Sequence, residues 1–361
     1  MTLLRDLYEK EGQSPWLDNL RRSWITSGKL QEWIDSGVRG ITSNPTIFQK
    51  AMTDTNDYDL QFSKLISNGY SIIDSYWELV IDDISSALEL MRPIYNSSDG
   101  LDGFVSLEVD PRLADDTSKT ISAAQDLNSR ISKPNLYIKI PATKAGIPAI
   151  QQMIAEGCSV NVTLIFSTAR YEEVIEAYLS GLEMYTGPLN EISSVASFFI
   201  SRTDTEVDKR LENIGTQEAL SLKGTAAISQ GREAYRIFKK YFSGPRWEEL
   251  LKRGAKPQRP LWASTSTKNP DFPDTLYVDE LIGPETVNTI PDATLEAFMH
   301  HGTVKCTIDK KETVPSPLNK IEEVGIDLNE VSQLLEREGV ASFVKSFTDL
   351  IHTLETKSES M

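Results

Sequence analysis

The chain has 361 residues, with 53 acidic and 37 basic side chains and a formal net charge of −16. This net negative charge argues against general binding of nucleic acids or anionic membranes. An anionic ligand would need a local cationic pocket. Two cysteines are too few for a disulfide framework, the first residues lack a signal-peptide core, and no apolar run approaches a membrane span. We therefore expect a cytoplasmic protein without nucleic-acid or membrane partners.

Hydrophobic patterning predicts that strands and helices alternate along the chain. Short strands are predicted near residues 17, 41, 107, 138, 162, 198, 262 and 288. Each is followed by a helical pattern or by a span long enough for a helix, so the sequence predicts an α/β fold, a (β/α)8 TIM barrel. A doubly wound open sheet is the alternative, but it usually carries a glycine-rich turn, and no G-x-G-x-x-G is present.

The helical patterns divide into barrel helices and additions. In the first half of the chain, the predicted helices lie at about 27–36, within 54–92 as two stretches, at 115–131 and at 147–156. Additional helices are predicted at the N-terminus (2–11), as an insertion at about 239–258, and as a C-terminal extension at about 316–358. We expect all of them to belong to one domain that spans residues 1–361.

One lysine lies inside a predicted buried strand. The run Leu136–Pro141 has the length and β-branched content of a central strand, yet it contains Lys139. A buried ammonium group must pair with an anion or lose its proton, and a neutral amine is a nucleophile that forms Schiff bases with carbonyl substrates. The alternative is a lysine that reaches the strand end or simply pairs with a carboxylate.

Polar residues recur near the C-terminal ends of several predicted strands. In a barrel these ends form the face that carries the site. Alternation along each strand places on one face Ser106 with Glu108, Tyr137 with Lys139, Asn161 with Thr163, and Ser197 with Phe199, with Arg202 just beyond. Each occurrence alone is weak evidence, but together, beside a buried lysine, they predict a site.

Signals for other chemistry are weaker. The three histidines, two of them adjacent, do not have the spacing of metal ligands, and neither a phosphate-binding glycine loop nor a G-x-S-x-G motif is present. The hydroxyl-rich run 263–270 follows a predicted strand and ends in Lys268-Asn269-Pro270. It could hold a phosphate through hydroxyls, backbone N–H groups and the lysine, or it is a polar loop.

Four motifs in this order resemble the transaldolase family of class I aldolase-like barrels. They are Thr42-Ser43-Asn44-Pro45-Thr46, Ser106-Leu107-Glu108-Val109-Asp110, Ile138-Lys139-Ile140-Pro141-Ala142-Thr143 and Asn161-Val162-Thr163-Leu164. The resemblance covers most of the chain, and Trp16-Leu17-Asp18 and the segment 224–228 are similar to the longer bacterial branch. In this family the Schiff-base lysine lies on the fourth strand, which is where the strand count places Lys139.

The resemblance implies a reaction without cofactor or metal, in which a dihydroxyacetone unit moves from sedoheptulose 7-phosphate to glyceraldehyde 3-phosphate in the pentose phosphate pathway. It implies that Lys139 forms the Schiff base, that Glu108 is the acid/base group acting through a water held by Thr163, and that Asp18 serves the hydroxyl at the broken bond. The substrate-binding residues implied are Asn44, Asn161, Ser197, Phe199, Arg202, Ser266 and Lys268.

One position departs from the family pattern, and two other functions remain open. Many relatives carry a second arginine where Lys268 aligns, so bidentate phosphate binding is not assured there. A class I aldolase would use the same lysine but release free dihydroxyacetone from fructose 6-phosphate. A non-catalytic phosphosugar-binding barrel would keep only the scaffold. The sequence leaves monomer and homodimer as alternatives.

Overall fold

The computed structural model describes residues 2–310 and 315–359. Its centre is a closed barrel of eight parallel strands that follow one another in sequence order, with the last strand paired to the first. The strands are β1 (Gln13–Leu17), β2 (Ile41–Thr42), β3 (Val105–Glu108), β4 (Leu136–Pro141), β5 (Val160–Ile165), β6 (Ser194–Phe199), β7 (Arg259–Ala263) and β8 (Thr286–Ile290). The predicted (β/α)8 barrel is confirmed, and the open doubly wound sheet is excluded.

Seventeen α-helices of the described residues accompany the strands. In chain order they are α1 (Leu3–Glu11), α2 (Arg22–Ser27), α3 (Lys29–Ser36), α4 (Pro45–Thr53), α5 (Asp59–Ser67), α6 (Ile72–Ser97), α7 (Thr117–Ile131), α8 (Gly146–Ala155), α9 (Thr168–Met184), α10 (Ser201–Ile214), α11 (Gln217–Leu220), α12 (Ala226–Tyr241), α13 (Gly244–Lys252), α14 (Leu276–Glu280), α15 (Asp292–His301), α16 (Pro317–Glu323) and α17 (Leu328–Glu359). Every strand residue is buried, as expected when helices cover the outside of the sheet.

The helices differ from the sequence predictions in three places. The helix predicted at about 27–36 corresponds to α3, and Gly28, in the left-handed conformation with φ of 83°, separates it from α2, which was not predicted. Helix α4 was not predicted; it begins where Asn44 caps it and Pro45 opens its first turn. The segment predicted as an insertion at about 239–258 divides between the end of α12 and the separate helix α13.

Aromatic side chains fill part of the barrel interior. Tyr137 stacks on Phe104 with 4.0 Å between ring centroids and lies 6.0 Å from Trp16. The Gly40 backbone lies against the Trp16 ring. A Cβ atom at this position would lie 2.3 Å from the ring, so only glycine fits without a shift. These aromatic side chains fill the barrel interior around Tyr137, and the cavity described below lies towards the C-terminal ends of the strands.

A buried carboxylate beside the aromatic layer has a full set of partners. Asp102 accepts hydrogen bonds from Ser14 Oγ (2.9 Å), Trp16 Nε1 (3.3 Å), Arg39 Nε (2.7 Å) and Arg259 Nη2 (2.9 Å). Burial alone would raise the pKa of Asp102, but Arg259 and Arg39 hold it below its usual value. The charge is therefore balanced within the fold.

Helix α17 packs over the end of the barrel where the strands have their C-terminal residues. It contacts α4, α6, α10 and β5. The Ser346 and Thr46 hydroxyl oxygens lie 2.8 Å apart, which ties α17 to α4. Phe347 packs edge-on against Tyr76 of α6, with 5.2 Å between ring centroids. These contacts place α17 across the mouth of the barrel.

Candidate active site

Lys139 lies near the C-terminal end of β4 and is 5% exposed. Its Nζ donates a hydrogen bond to the Ser43 carbonyl oxygen at 3.2 Å and lies 3.4 Å from Oε2 of Glu108, its register neighbour on β3. The sequence left open whether the lysine pairs with a carboxylate or opens on a site. Both descriptions apply, because the amine has a carboxylate neighbour and also lines a cavity.

The Glu108 carboxyl group is buried, and one of its oxygens has no hydrogen-bond partner among the described residues. Burial raises its pKa to about 7, Asp18 adds to the rise, and the neighbouring Lys139 opposes it. Oε2 has no hydrogen-bond partner among the described residues, since the Lys139 contact at 3.4 Å is longer than a charge-assisted hydrogen bond. A carboxyl group that titrates near neutral pH is able both to give and to take a proton there.

Thr163, on the other strand beside β4, is fully buried, and its hydroxyl oxygen lacks a hydrogen-bond partner within residues 2–310 and 315–359. The strand is irregular at this point. Leu164 has a positive φ of 59°, and the register with β6 shifts between Val162 and Ile165. Such bulges re-aim side chains and recur next to active sites. Glu108 and Thr163 thus leave one unsatisfied oxygen on each strand that flanks β4.

A chain of hydrogen bonds links three strands inside the barrel. The Asn161 Nδ2 group donates to Ser106 Oγ at 3.0 Å, and Ser197 Oγ donates to Asn161 Oδ1 at 2.7 Å. All three side chains are buried. From strand alternation we predicted that each of these residues lies on a face with other polar or site residues and that the faces converge, and these contacts agree. The Asn161 amide retains one N–H and one lone pair for a further partner.

Asp18 follows β1 directly, as the sequence indicated. Thr42 Oγ1 donates a hydrogen bond to Asp18 Oδ1 at 2.7 Å, and this threonine also lies 2.5 Å from Thr289 Oγ1. Burial raises the pKa of Asp18, although Lys139 and Thr42 oppose the rise. The two acids that interact with the lysine, Asp18 and Glu108, therefore both hold their protons more tightly than ordinary carboxyl groups.

Asn44 reaches the site from the start of α4. Its Oδ1 accepts a hydrogen bond from the backbone N–H of Ile47 at 3.0 Å, which is the N-cap interaction of the helix. The cap fixes the side-chain orientation and leaves the amide NH₂ group for a ligand. A residue that reads in sequence as an Asn-Pro turn is thereby held in a defined position.

A cavity of about 330 Å³ opens beside Lys139 at the C-terminal end of the barrel. Its lining includes eight of the predicted site residues, namely Asp18, Asn44, Lys139, Ser197, Phe199, Arg202, Ser266 and Lys268. The other three predicted residues, Glu108, Asn161 and Thr163, are buried and do not line it. The volume is typical of a site for a small molecule.

Besides Lys139, four basic side chains of the described residues line this cavity: Arg21, Lys50, Arg202 and Lys268. In the described part of the chain, none of the four forms a salt bridge, and Lys268 donates to Ser266 Oγ at 2.6 Å. Burial lowers the pKa of Arg202, and burial together with nearby Arg202 and Lys50 lowers the pKa of Lys268. Adjacent cations without carboxylate partners are suited to binding an anion.

Sequence reasoning missed several residues of the cavity wall. Thr42 had a usable signal, since it lies near the C-terminal end of the strand predicted around residue 41. Lys50 would have followed from recognition of the helix that Asn44 and Pro45 begin. Phe343 of α17 had no such signal. Its position depends on how a helix more than 200 residues beyond Lys139 docks on the barrel, and no local pattern reports that.

Three further features of the described residues concern metal binding, cysteine reactivity and membrane spans. No cluster of three or more His, Cys, Asp or Glu residues within 2–310 and 315–359 could hold a metal ion. Burial raises the pKa of the free Cys158 thiol to about 11, which keeps it a poor nucleophile. A search of the same residues finds no helix with the length and apolar character needed to span a membrane.

Fold and site together define a class: an α/β barrel with a polar cavity, around one buried lysine, at the C-terminal ends of its strands. The family follows from comparison with known proteins. The family model described as Transaldolase/Fructose-6-phosphate aldolase matches residues 15–354. The chain belongs to this family.

Curated relatives are similar over nearly their whole length. The chain is 48% identical over 349 residues to a transaldolase of Parafrankia sp., with 95% of each chain covered. It is 47% identical over 357 residues to a transaldolase of Mycobacterium leprae, covering 97% of this chain and 95% of that one. It is 49% identical over 350 residues to a transaldolase of Mycobacterium tuberculosis, covering 94% and 93%.

Proposed function

We propose that this enzyme transfers a dihydroxyacetone unit from sedoheptulose 7-phosphate to glyceraldehyde 3-phosphate through a Schiff base on Lys139. The observation that carries the proposal is the environment of that amine. It is 5% exposed, lines the cavity and lies 3.4 Å from a carboxyl group whose pKa is about 7. The name transaldolase on relatives 47–49% identical supports the same reaction.

The chemistry begins when the neutral Nζ adds to the C2 carbonyl carbon of the ketose. Loss of water leaves an iminium ion, which accepts electrons. The C3–C4 bond then breaks, its electron pair forms the C2–C3 double bond of an enamine, and erythrose 4-phosphate leaves as the aldehyde. The enamine carbon attacks glyceraldehyde 3-phosphate, and hydrolysis of the resulting iminium releases fructose 6-phosphate and the free lysine.

Glu108 is proposed as the acid/base group for formation and hydrolysis of the imine. These steps need a proton delivered to the departing hydroxyl and a proton removed from the entering water. The pKa of about 7 suits both directions. Within the described residues, Glu108 Oε2 and Thr163 Oγ1 both lack a hydrogen-bond partner, which supports a role for Thr163 in holding the water through which the proton moves.

Asp18 is proposed to take the proton of the C4 hydroxyl as the C3–C4 bond breaks. A carboxylate with a raised pKa is a stronger base than an ordinary aspartate, and burial raises the pKa of Asp18. The hydrogen bond from Thr42 at 2.7 Å orients its carboxyl group. When the acceptor aldehyde arrives, the same group returns the proton to the new hydroxyl.

Substrate hydroxyls and phosphate are proposed to bind along the cavity wall. Asn44 and Ser197 line the cavity and Asn161 is bonded to Ser197, which supports a role for these three in holding the dihydroxyacetone hydroxyls, with Phe199 as an apolar wall. The phosphate is proposed to bind at Arg202, Ser266 and Lys268, supported by Lys50 and Arg21. A chain with net charge −16 attracts a dianion only through such a local group of cations.

Borohydride trapping tests the central assignment. Reduction in the presence of fructose 6-phosphate should leave a stable three-carbon adduct on Lys139, located by peptide mass mapping. Lys139→Arg should abolish the adduct and keep the fold, because guanidinium does not act as the amine. Lys144→Arg, in the following loop, is the matched control and should label normally. An adduct on another lysine removes the assignment, and no adduct would favour a non-catalytic phosphosugar-binding barrel.

A second candidate is an aldolase that releases free dihydroxyacetone, since the matching family model bears both names. The two activities differ in the fate of the lysine-bound three-carbon unit. For a transaldolase, glyceraldehyde 3-phosphate should greatly accelerate release of erythrose 4-phosphate from sedoheptulose 7-phosphate. Release of free dihydroxyacetone at the full rate without an acceptor would identify an aldolase.

The proposed reaction fits the pentose phosphate pathway and a cytoplasmic location, because its substrates and products are all sugar phosphates. Cell fractionation with an antibody against the chain would test the location. Isotope tracing of seven-carbon sugar phosphates in a strain that lacks the gene would test the pathway, and accumulation of sedoheptulose 7-phosphate is the expected result.

A further inference from the structure

Helix α17 contributes an aromatic side chain to the lysine cavity. Phe343 lines the cavity and is 3% exposed. Its ring centre lies 5.9 Å from Lys139 Nζ and 6.0 Å from the Arg202 guanidinium carbon. An apolar ring therefore lies near both the amine and one of the cavity cations.

The helix is seated closely enough to fix this ring. One turn before Phe343, a Cβ atom on Gly339 would lie 3.0 Å from a Leu164 methyl group and 3.6 Å from Arg202 Nη1. One turn after it, Ser346 contacts Thr46 at 2.8 Å. The ring is held between these two attachments and packs in the same apolar cluster as Phe199.

We infer that Phe343 keeps water away from the lysine-bound three-carbon unit and so determines that the unit is transferred and not hydrolysed. This inference rests on the proposed function. The competing leak is a simple reaction: the enamine C3 takes a proton, one water adds to C2, and the C2–N bond breaks to release dihydroxyacetone and the free amine. Hydrolysis of an iminium also ends the productive reaction, so the step that belongs to the leak alone is protonation of C3. That step needs solvent beside the bound unit, and the Phe343 ring centre lies 5.9 Å from the Nζ atom that carries it.

A comparison of Phe343 with Phe347 separates the proposed shielding role from ordinary packing. Phe347 lies one turn further along the same helix, is fully buried and packs on Tyr76, but it does not line the cavity. Truncation of either ring removes a buried aromatic side chain from α17. Truncation of Phe343 alone opens space beside the amine, and the volume lost is large enough to admit water.

The test measures how long the adduct survives. The enzyme is loaded with fructose 6-phosphate, freed of small molecules by rapid gel filtration and quenched with borohydride at intervals, and the fraction of Lys139 still carrying the adduct is read by intact mass. Phe343→Ala should accelerate decay without acceptor by about tenfold or more, because the water-excluding wall is gone. Decay with saturating erythrose 4-phosphate should change much less.

Two variants separate the ring from the helix. Phe343→Leu keeps an apolar side chain and a folded helix, so it should raise the decay rate only slightly. Phe347→Ala should lower the thermal unfolding temperature and leave the decay rate at the wild-type value. The inference is overturned if Phe343→Ala decays like wild type, or if Phe347→Ala decays as fast as Phe343→Ala. Absence of any adduct on wild-type Lys139 would instead remove the proposed function itself.

Discussion

Two buried carboxyl groups in this barrel have opposite surroundings. Asp102 receives four hydrogen bonds, two of them from arginines, and its pKa is below the usual value. Glu108 has a single lysine neighbour at 3.4 Å and an unpartnered oxygen among the described residues, and its pKa is about 7. A buried carboxylate whose hydrogen-bonding capacity is filled by the protein (a saturated carboxylate) serves to stabilise the fold. A buried carboxyl group with an oxygen left unpartnered by the described residues (an unsaturated one) is available for chemistry.

The largest expected effect comes from the unsaturated carboxyl group. Glu108→Gln should slow imine formation and release by about 10² to 10⁴, the usual scale for general acid/base catalysis, because the amide cannot exchange the proton. Stability near neutral pH should stay the same or rise, since burial disfavours the charged form of this acid and the amide is neutral. Stopped-flow kinetics and urea unfolding check both points. A large loss of stability with an unchanged rate would contradict the comparison.

The saturated carboxylate should behave in the reverse way. Asp102→Asn should cost about 3–5 kcal/mol of unfolding free energy, because it leaves the buried Arg259 and the partly buried Arg39 without their counter-charge. Urea unfolding gives the free energy, and kcat per folded molecule should stay near the wild-type value. If kcat instead fell as far as it does in Glu108→Gln, the division between structural and chemical carboxylates would be wrong.

Two arginines, Arg202 and Arg259, differ in the same way as the two carboxyl groups. Arg202 lines the cavity without a salt bridge to any described residue, whereas Arg259 is bonded to Asp102. Arg202→Ala should raise the apparent KM for phosphorylated donors roughly 10- to 100-fold, the size of a lost charge-assisted hydrogen bond, and leave the transfer from unphosphorylated fructose almost unchanged. Arg259→Ala should lower stability and leave both KM values alone. Equal effects of Arg202→Ala on both donors would make that arginine structural.

The smallest effect is on the pH dependence of stability, where the two carboxyl groups have opposite signs. The pKa of Glu108 rises on folding, so its stabilisation is complete below about pH 4.5 and is lost as pH rises through about 7. The pKa of Asp102 falls on folding, so its stabilisation is present above about pH 4 and is lost at lower pH. Urea unfolding from pH 4 to 8 should show a shallower decline for Glu108→Gln than for wild type. An identical slope would contradict the expectation.

The barrel could be predicted from sequence because each strand carries its own local signal. Apolar runs bounded by turns located all eight strands, and alternation placed Ser106, Asn161 and Ser197 on the interior face where they bond to one another. Lys139 was recognisable because a charge inside such a run is unusual. These features depend on neighbouring residues, which sequence patterns report well.

Features that depend on tertiary approach could not be predicted. The bulge at Leu164 arises from register between strands, and the raised pKa of Glu108 arises from burial by distant elements. The cavity wall from α17 depends on close approach at Gly339, which in sequence is an unremarkable glycine within a helix. Roles for Glu108, Asp18 and Thr163 came from family resemblance and remain proposals for the experiments above.

The docking of α17 across the mouth of the barrel also has a consequence for protein synthesis. All eight strands, with Lys139 and both acids, are complete by Ile290, whereas Phe343 follows 53 residues later. At ordinary translation rates that interval is roughly three to ten seconds. If Phe343 has the role inferred above, a nascent barrel that closes in this interval presents the Lys139 amine to solvent, and the amine is shielded only after the ribosome delivers α17.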